Sequence, residues 1–173
     1  MPTVAMVEYD QAPPEVRAIY DEIMAAKGID FVPNFWKTLA THPPLLEDVW
    51  RSLARTMAPG RLDALTKEMI ALAVSATNGC TYCIRSHTAA ARKLGMDDEM
   101  LGELMAVVGV FNRTNRLADA YQVEVDEALM EATEGGGAAS PLSRVSRALR
   151  KSRVASRRVQ RAPKTRTRSP RRR

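Results

Sequence analysis

The chain has 173 residues, which is enough for one domain with a hydrophobic core. Helix-forming residues dominate the composition and strand-like alternation is nearly absent, so the predicted fold class is all-α, a compact helical domain. No apolar stretch reaches the length of a transmembrane helix, and residues 1–10 carry acids where a secretion signal would be basic and then apolar. We therefore expect a cytoplasmic protein that does not enter a membrane.

The formal net charge of +6 is unevenly distributed along the chain. Residues 1–140 hold 12 basic and 20 acidic residues, a balance of −8, whereas residues 141–173 hold 14 basic residues and no acid. We predict a helical domain over residues 1–134 and a flexible Arg/Ser-rich tail over residues 135–173, with one short amphipathic helix around Leu142–Leu149. Such a tail binds phosphate groups without sequence preference, and it has no aromatic residue for base stacking, so we expect only nonspecific contact with nucleic acid.

Two helices are predicted in the first third of the chain. The first begins at Pro13-Pro14-Glu15 and ends at Lys27-Gly28. Residues 31–36 are predicted to be an aromatic connector. A second helix begins at His42-Pro43-Pro44 and ends before Pro59-Gly60. The apolar positions that define the two inner faces are Val16, Ile19, Tyr20 and Ile23, and then Leu45, Leu46, Val49, Trp50 and Leu53.

Four further helices are predicted downstream. The first covers residues 62–77 and is so apolar in its second half that we expect it to be buried on every face. The second covers residues 80–94 and ends at Gly95. The third covers about residues 100–109 or beyond, after the acidic cap Asp97-Asp98-Glu99, and the last covers residues 115–130.

The two cysteines of the chain, Cys80 and Cys83, lie three residues apart, with His87 four residues further on. At about 100° per residue, the three side chains fall within roughly 60° on one helix face. Asn78-Gly79 is a turn, so both cysteines would occupy the first helical turn, where free amide protons and the helix dipole stabilise a thiolate. His87 is placed to exchange a proton with Cys83.

Glu68 is the fourth candidate, at the head of the apolar helix. A carboxylate beside so apolar a segment is costly unless another group shares its proton or charge. A histidine or thiol on the adjoining helix would do so.

Two other kinds of site contain cysteine pairs with this spacing. A structural zinc site needs a fourth ligand, and the second histidine of the chain, His42, lies 38 residues before Cys80, outside zinc-finger spacing. A thioredoxin-like site would need a βαβ pattern around the pair. We therefore favour a redox-active dithiol and expect no bound metal.

The spacing of the four residues resembles a known family motif. Eleven residues separate Glu68 from Cys80, two separate Cys80 from Cys83, and three separate Cys83 from His87. This pattern resembles the motif of the alkylhydroperoxidase D-like branch of the carboxymuconolactone decarboxylase family. Residues 111–119 are similar to the segment that closes the family's core domain, and residues 82–88 are similar to the branch usually labelled peroxidase-related. The resemblance covers about residues 10–130.

The resemblance implies a role for each motif residue. Cys83 matches the thiol that attacks the peroxide, and Cys80 matches the resolving thiol that forms a disulfide with it. Glu68 and His87 match the proton relay. Some relatives carry a second histidine directly before the second cysteine, where this chain has Tyr82, which implies a shorter relay.

The predicted function is accordingly a thiol-dependent peroxidase in antioxidant defence. We expect no bound cofactor, since there is no strand followed by a glycine-rich turn, but an external dithiol reductant is required. The resemblance implies a hydroperoxide substrate, a lipoyl-type or thioredoxin-type electron donor, in some relatives a peroxiredoxin, and a homotrimer or hexamer. The alternatives are a decarboxylase-type lyase, whose relatives lack the cysteine pair, a disulfide reductase or redox adaptor without peroxidase activity, and a non-catalytic binding protein acting through the tail.

Overall fold

A computed structural model describes residues 3–134, and every regular element in that range is helical. A short 3-10 helix, Tyr9–Gln11, precedes seven α-helices in the described range. They are α1 (Pro14–Lys27), α2 (Asn34–Leu39), α3 (Pro43–Met57), α4 (Ala64–Thr77), α5 (Thr81–Lys93), α6 (Asp98–Ala120) and α7 (Glu127–Glu134). The all-α prediction is confirmed.

The described part of the chain divides into two compact units, and the boundary between them falls after Leu117. The first contains α1 to α5 and most of α6, and it holds all the candidate site residues. The predicted tail and its short helix lie outside the described residues. Among the residues that the structure does describe, no helix combines the length and the apolar character needed to span a membrane.

Helices α1, α2 and α3 share the first hydrophobic core. The four apolar positions predicted for α1 are all buried, and Leu46 and Trp50 of α3 pack with them. The Tyr20 hydroxyl donates to the carbonyl of Val7 at 2.9 Å, and burial raises the pKa of this phenol to about 12. Leu45 differs from its prediction, because its side chain is 44% exposed.

The predicted aromatic connector is partly wrong, because α2 begins at Asn34 and includes Phe35 and Trp36. The Pro33 carbonyl accepts hydrogen bonds from the amides of Trp36 and Lys37, which closes the first turn. Trp36 is buried, and its ring meets that of Trp50 edge-on. Six residues are too few to show a helical period, so the sequence pattern did not reveal this helix.

Helices α4, α5 and the first turns of α6 form a second core around Leu72, Ala91 and Met96. The expectation that α4 is buried on every face is wrong for the single chain. Leu72 and Ser75 are buried, but Ile70 and Val74, on another face, are 50% and 54% exposed. The neighbouring helices of the chain therefore cover only part of this apolar helix.

The two helices predicted after Gly95 have different bounds. The Asp97 carboxylate caps the first by accepting from the amide of Met100, as expected, but α6 then continues through Gly109 to Ala120. A single glycine in a helix costs about 1 kcal/mol, which is too little to end it. The helix stops where Gln122 takes a positive φ of 48° and the Val123 amide donates back to the carbonyl of Ala118.

Candidate functional site

Cys80 and Cys83 are joined by a disulfide bond at the start of α5. Their Cα atoms lie 5.3 Å apart, which is within the ordinary range for a disulfide. Both side chains are half-buried, so the bond is in reach of solvent. The structure thus brings the two predicted thiols into covalent contact.

The turn before α5 sets the position of Cys80. Helix α4 ends at Thr77 with Asn78 as its C-cap, and Gly79 follows with a φ of 68°, a left-handed conformation that favours glycine. The Cys80 amide then donates to the Ser75 carbonyl at 3.0 Å. Cys80 is consequently the N-cap of α5, and not a member of its first turn as predicted.

The Cys80 sulfur caps the N-terminus of α5, as a serine oxygen does in many helices. It accepts a hydrogen bond from the amide of Cys83 at 3.3 Å. A thiolate formed at Cys80 would face the free amide protons of the same helix end. The pair therefore shares one polar environment, although only Cys83 lies within the helix.

Glu68 and His87 form the second pair of the site. His87 Nδ1 and Glu68 Oε2 lie 2.7 Å apart across the α4–α5 contact, and the side chains are 25% and 15% exposed. Glu68 lies in the second turn of α4, and not at its head, because Asp63 is the N-cap. Its position four residues before the buried Leu72 places it on the face that packs against α5.

This hydrogen bond fixes the orientation of the imidazole ring. When Glu68 is ionised, Nδ1–H donates to the carboxylate and Nε2 keeps the free lone pair. His87 follows Cys83 by one helical turn on the same face of α5. The site therefore combines an oriented proton acceptor with a disulfide on successive turns of one helix.

Tyr82 makes a contact that sequence reasoning missed. Its hydroxyl oxygen accepts a hydrogen bond from the amide of Phe35, 47 residues earlier, at 3.3 Å. The two rings are 6.3 Å apart between centroids. No local pattern links residues so far apart, so the sequence contained no signal for it.

Asn112 of α6 supports the end of α4 next to the site. Its side-chain amide donates to the Thr77 hydroxyl at 3.1 Å and to the Val108 carbonyl at 2.9 Å. Thr77 is the last residue of α4 before the Asn78-Gly79 turn. Asn112 therefore helps to place the turn that leads to Cys80.

Within residues 3–134, no group of three or more His, Cys, Asp or Glu side chains is arranged to hold a metal ion.

The candidate site lies within the part of the chain that matches a known protein family. Residues 43–126 match the carboxymuconolactone decarboxylase family. The matched range begins at α3 and includes Glu68, Cys80, Cys83 and His87.

Individual relatives agree with that match. The crystal structure of the alkylhydroperoxidase AhpD core from Rhodospirillum rubrum is 45% identical, with a TM-score of 0.71, over 75% of this chain and 98% of that one. An alkyl hydroperoxide reductase AhpD from Streptomyces griseus is 41% identical over 32% of each chain. An uncharacterized protein 4 in the cox locus of Paracoccus denitrificans is 35% identical over 36% of this chain and 57% of that protein. The matches thus span 57% of the Paracoccus protein and 32% of the Streptomyces protein, less than two thirds of either.

Proposed function

Because the chain belongs to the carboxymuconolactone decarboxylase family, in its alkylhydroperoxidase D-like group, we propose that it is a thiol-dependent peroxidase acting through Cys80 and Cys83. The supporting observation is the arrangement of two bonded pairs across α4 and α5. One pair is the disulfide, and the other is His87 held by Glu68. Peroxide reduction by a dithiol needs both a second thiol within bonding reach and a group that moves protons.

The first step consumes the hydroperoxide. The Cys83 thiol gives its proton to Nε2 of His87, and the resulting thiolate attacks the terminal oxygen of the hydroperoxide, so that an S–O bond forms and the O–O bond breaks. Cys83 becomes a sulfenic acid, and the leaving alkoxide takes a proton from the imidazolium of His87 to become an alcohol. Glu68 stabilises that imidazolium, since its carboxylate accepts the Nδ1–H bond.

The second step closes the disulfide. The Cys80 thiol attacks the Cys83 sulfenic sulfur, the S–S bond forms and the S–O bond breaks, and the hydroxyl leaves as water with the proton that the Cys80 thiol gives up. Two electrons have passed from the two thiols to the peroxide. An external dithiol of lipoyl or thioredoxin type then reduces the disulfide by exchange, and a peroxiredoxin is a second candidate partner.

Thiol titration around one turnover tests this proposal. One equivalent of cumene hydroperoxide should remove two titratable thiols per reduced chain. Cys83→Ser should abolish hydroperoxide consumption, whereas Cys80→Ser should consume about one equivalent and stop at a sulfenic acid that dimedone traps. Undiminished turnover in Cys83→Ser would exclude thiol catalysis and leave the lyase activity to be assayed.

We propose further that copies of the chain associate. The apolar side chains at Val107, Val110 and Phe111 of α6 are about half exposed, as are Ile70 and Val74 of α4. Exposed apolar patches of this kind mark interaction sites, and the family resemblance implies a trimer or hexamer.

The basic tail is proposed to make only nonspecific contact with polyanions. The argument is the charge of residues 141–173 alone, 14 basic residues with no acid. Deleting them should leave hydroperoxide turnover unchanged and remove salt-dependent binding to duplex DNA. Loss of turnover in a folded truncated chain would place the function in the tail.

A further inference from the structure

Tyr82 lies between the two cysteines, and the proposed chemistry makes no use of its hydroxyl. That hydroxyl oxygen accepts the hydrogen bond from the Phe35 amide, and the side chain is 44% exposed. Phe35 belongs to α2, in the first hydrophobic core, whereas Tyr82 belongs to α5, in the second. The contact therefore joins the redox helix to the other half of the same compact unit.

The Phe35 amide is available because of its place in α2. The first four amide groups of a helix have no partner inside the helix. Pro33, at the N-cap, makes no side-chain capping bond. The Tyr82 hydroxyl thus satisfies an otherwise free donor of α2 from a distant helix.

A series of contacting aromatic rings connects Tyr82 with the first core. The Phe35 ring meets the Trp36 ring edge-on with centroids 5.1 Å apart, and Trp36 meets Trp50 at 5.6 Å. Both tryptophans are at most 4% exposed. Because Trp36, the residue after Phe35, is packed in the core, the backbone amide of Phe35 is a firm attachment for the first turn of α5, whereas the Phe35 ring is 41% exposed.

The geometry also separates Tyr82 from the proton-transfer face. Tyr82 and Cys83 are consecutive, so their side chains leave the helix about 100° apart. His87, one turn after Cys83, shares the cysteine face. The Tyr82 hydroxyl instead lies at the start of α2.

We propose that Tyr82 is a positioning residue, which holds the first turn of α5 on α2 so that Cys83 stays in the geometry that favours the Cys80–Cys83 disulfide. The importance of Tyr82 for catalysis rests on the proposed function. The effect of its hydroxyl on the disulfide, however, can be measured without any peroxide. A hydrogen bond that favours the disulfide form shifts the dithiol–disulfide equilibrium toward that form.

The test is Tyr82→Phe, which removes only the hydroxyl. The full-length chain is equilibrated in glutathione redox buffers, the free thiols are alkylated, and the disulfide fraction is measured by mass spectrometry. Loss of one hydrogen bond should shift the equilibrium constant about threefold to tenfold toward the dithiol. Tyr9→Phe is the matched control, because it loses an exposed phenol hydrogen bond, to Asp21, that lies outside the site, and it should leave the equilibrium unchanged.

Phe35→Leu separates the hydrogen bond from ring packing, since it keeps the amide and removes the ring. It should shift the equilibrium much less than Tyr82→Phe. An equal shift, or no shift in a folded Tyr82→Phe chain, would overturn the proposal.

The pH dependence of hydroperoxide consumption gives a second readout. A positioning role predicts that Tyr82→Phe changes the rate and keeps the shape of the profile, whereas loss of one limb would make Tyr82 a proton donor and overturn the proposal. If the wild-type chain consumes no hydroperoxide, the proposed function fails, but the glutathione equilibrium still decides the role of Tyr82.

Discussion

In the proposed site, the role of His87 depends on its contact with Glu68. Glu68 has no part in breaking the O–O bond, but it holds His87 through the 2.7 Å contact. Without a carboxylate there, the ring loses its orienting acceptor and the imidazolium loses a compensating charge. The value of Glu68 to the reaction is therefore electrostatic as well as geometric.

Glu68→Gln is predicted to slow hydroperoxide consumption by about 10-fold to 100-fold, because the amide keeps the shape but not the charge. The number of titratable thiols should stay at two per chain. The measurement is stopped-flow consumption of cumene hydroperoxide by the pre-reduced chain. Glu8→Gln is the control, since Glu8 also pairs with a cation, Lys37, but lies outside the site; an equal loss in both variants would argue against a specific role for Glu68.

The sequence predicted which side chains of the proposed site meet better than it predicted what surrounds them. Fixed spacing on two adjoining helices was enough to suggest that Glu68 could meet His87 and that Cys80 could meet Cys83. It could not suggest that Cys80 is the N-cap, since this depends on the left-handed Gly79. Nor could it suggest the Tyr82 contact, which depends on how two separate cores pack.

At the scale of elements, the turn between α4 and α5 determines where the redox helix begins. Gly79 has a φ of 68° and open space around the position where a Cβ would stand. Replacement by alanine therefore meets no clash, but it forces an L-residue into the left-handed region.

Gly79→Ala is predicted to lower the free energy of unfolding by about 1–2 kcal/mol. Gly102→Ala is the matched control, because Gly102 lies inside α6 with the same open space, and there alanine should stabilise the helix by about 0.5–1 kcal/mol. Urea unfolding of both variants followed by circular dichroism measures the two effects. Equal changes of the same sign would contradict this view of the turn.

The start of α4 has a pH dependence of its own. The Thr66 amide and hydroxyl both donate to the Asp63 carboxylate, and the amide bond is the larger cause that lowers the pKa of Asp63 below its ordinary value. A lowered pKa in the folded state means that ionised Asp63 favours folding above the pH at which the unfolded chain's carboxyl titrates, about 4. That stabilisation is lost as the pH falls further, through the folded-state pKa.

Asp63→Ala should therefore lower the urea midpoint at pH 7, and the difference from wild type should shrink as the pH approaches 3. Urea titrations at a series of pH values between these limits give the measurement. Asp30→Ala, which changes an exposed acid in the loop between α1 and α2, is the control and should show little difference at any pH. A constant gap for Asp63→Ala would mean that its ionisation is not linked to folding.

Helix bounds were predicted well where capping residues are strong and poorly where they are weak. Pro14 and Gly28 set the start and end of α1 as expected. The predicted break inside α6 was wrong, because Gly109 and the polar residues after it fit a helix whose Asn112 side chain binds α4. Capping is local and is visible in the sequence, whereas tertiary hydrogen bonds are not.

At the scale of the whole molecule, α4 and α6 present apolar surface that the other described residues leave uncovered. The exposed positions of α6, Val107, Val110 and Phe111, are spaced by three and four residues and so form one stripe. The sequence pattern predicted a helix buried all round in α4, and the half-exposed Ile70 and Val74 show that residues 3–134 do not provide this burial. A sequence shows which residues are apolar but not which molecule covers them.

The proposed association makes the last prediction. Wild-type protein at micromolar concentration should sediment as a multiple of 19.1 kDa. Val110→Asp places a charge in the stripe, where burial against a second copy would leave it without water, so this variant should sediment as the 19.1 kDa monomer. Its helical circular dichroism should be unchanged, because Val110 is 56% exposed in the single chain.

Val4→Asp is the control for this substitution, since Val4 is also partly exposed at 42% but lies outside both helices. It should keep the mass of the wild type. If wild-type protein already sediments as a monomer, the stripe is not a self-association surface. If Val110→Asp keeps the larger mass, the copies meet elsewhere. The two results are distinguishable because the first concerns the existence of the assembly and the second only its location.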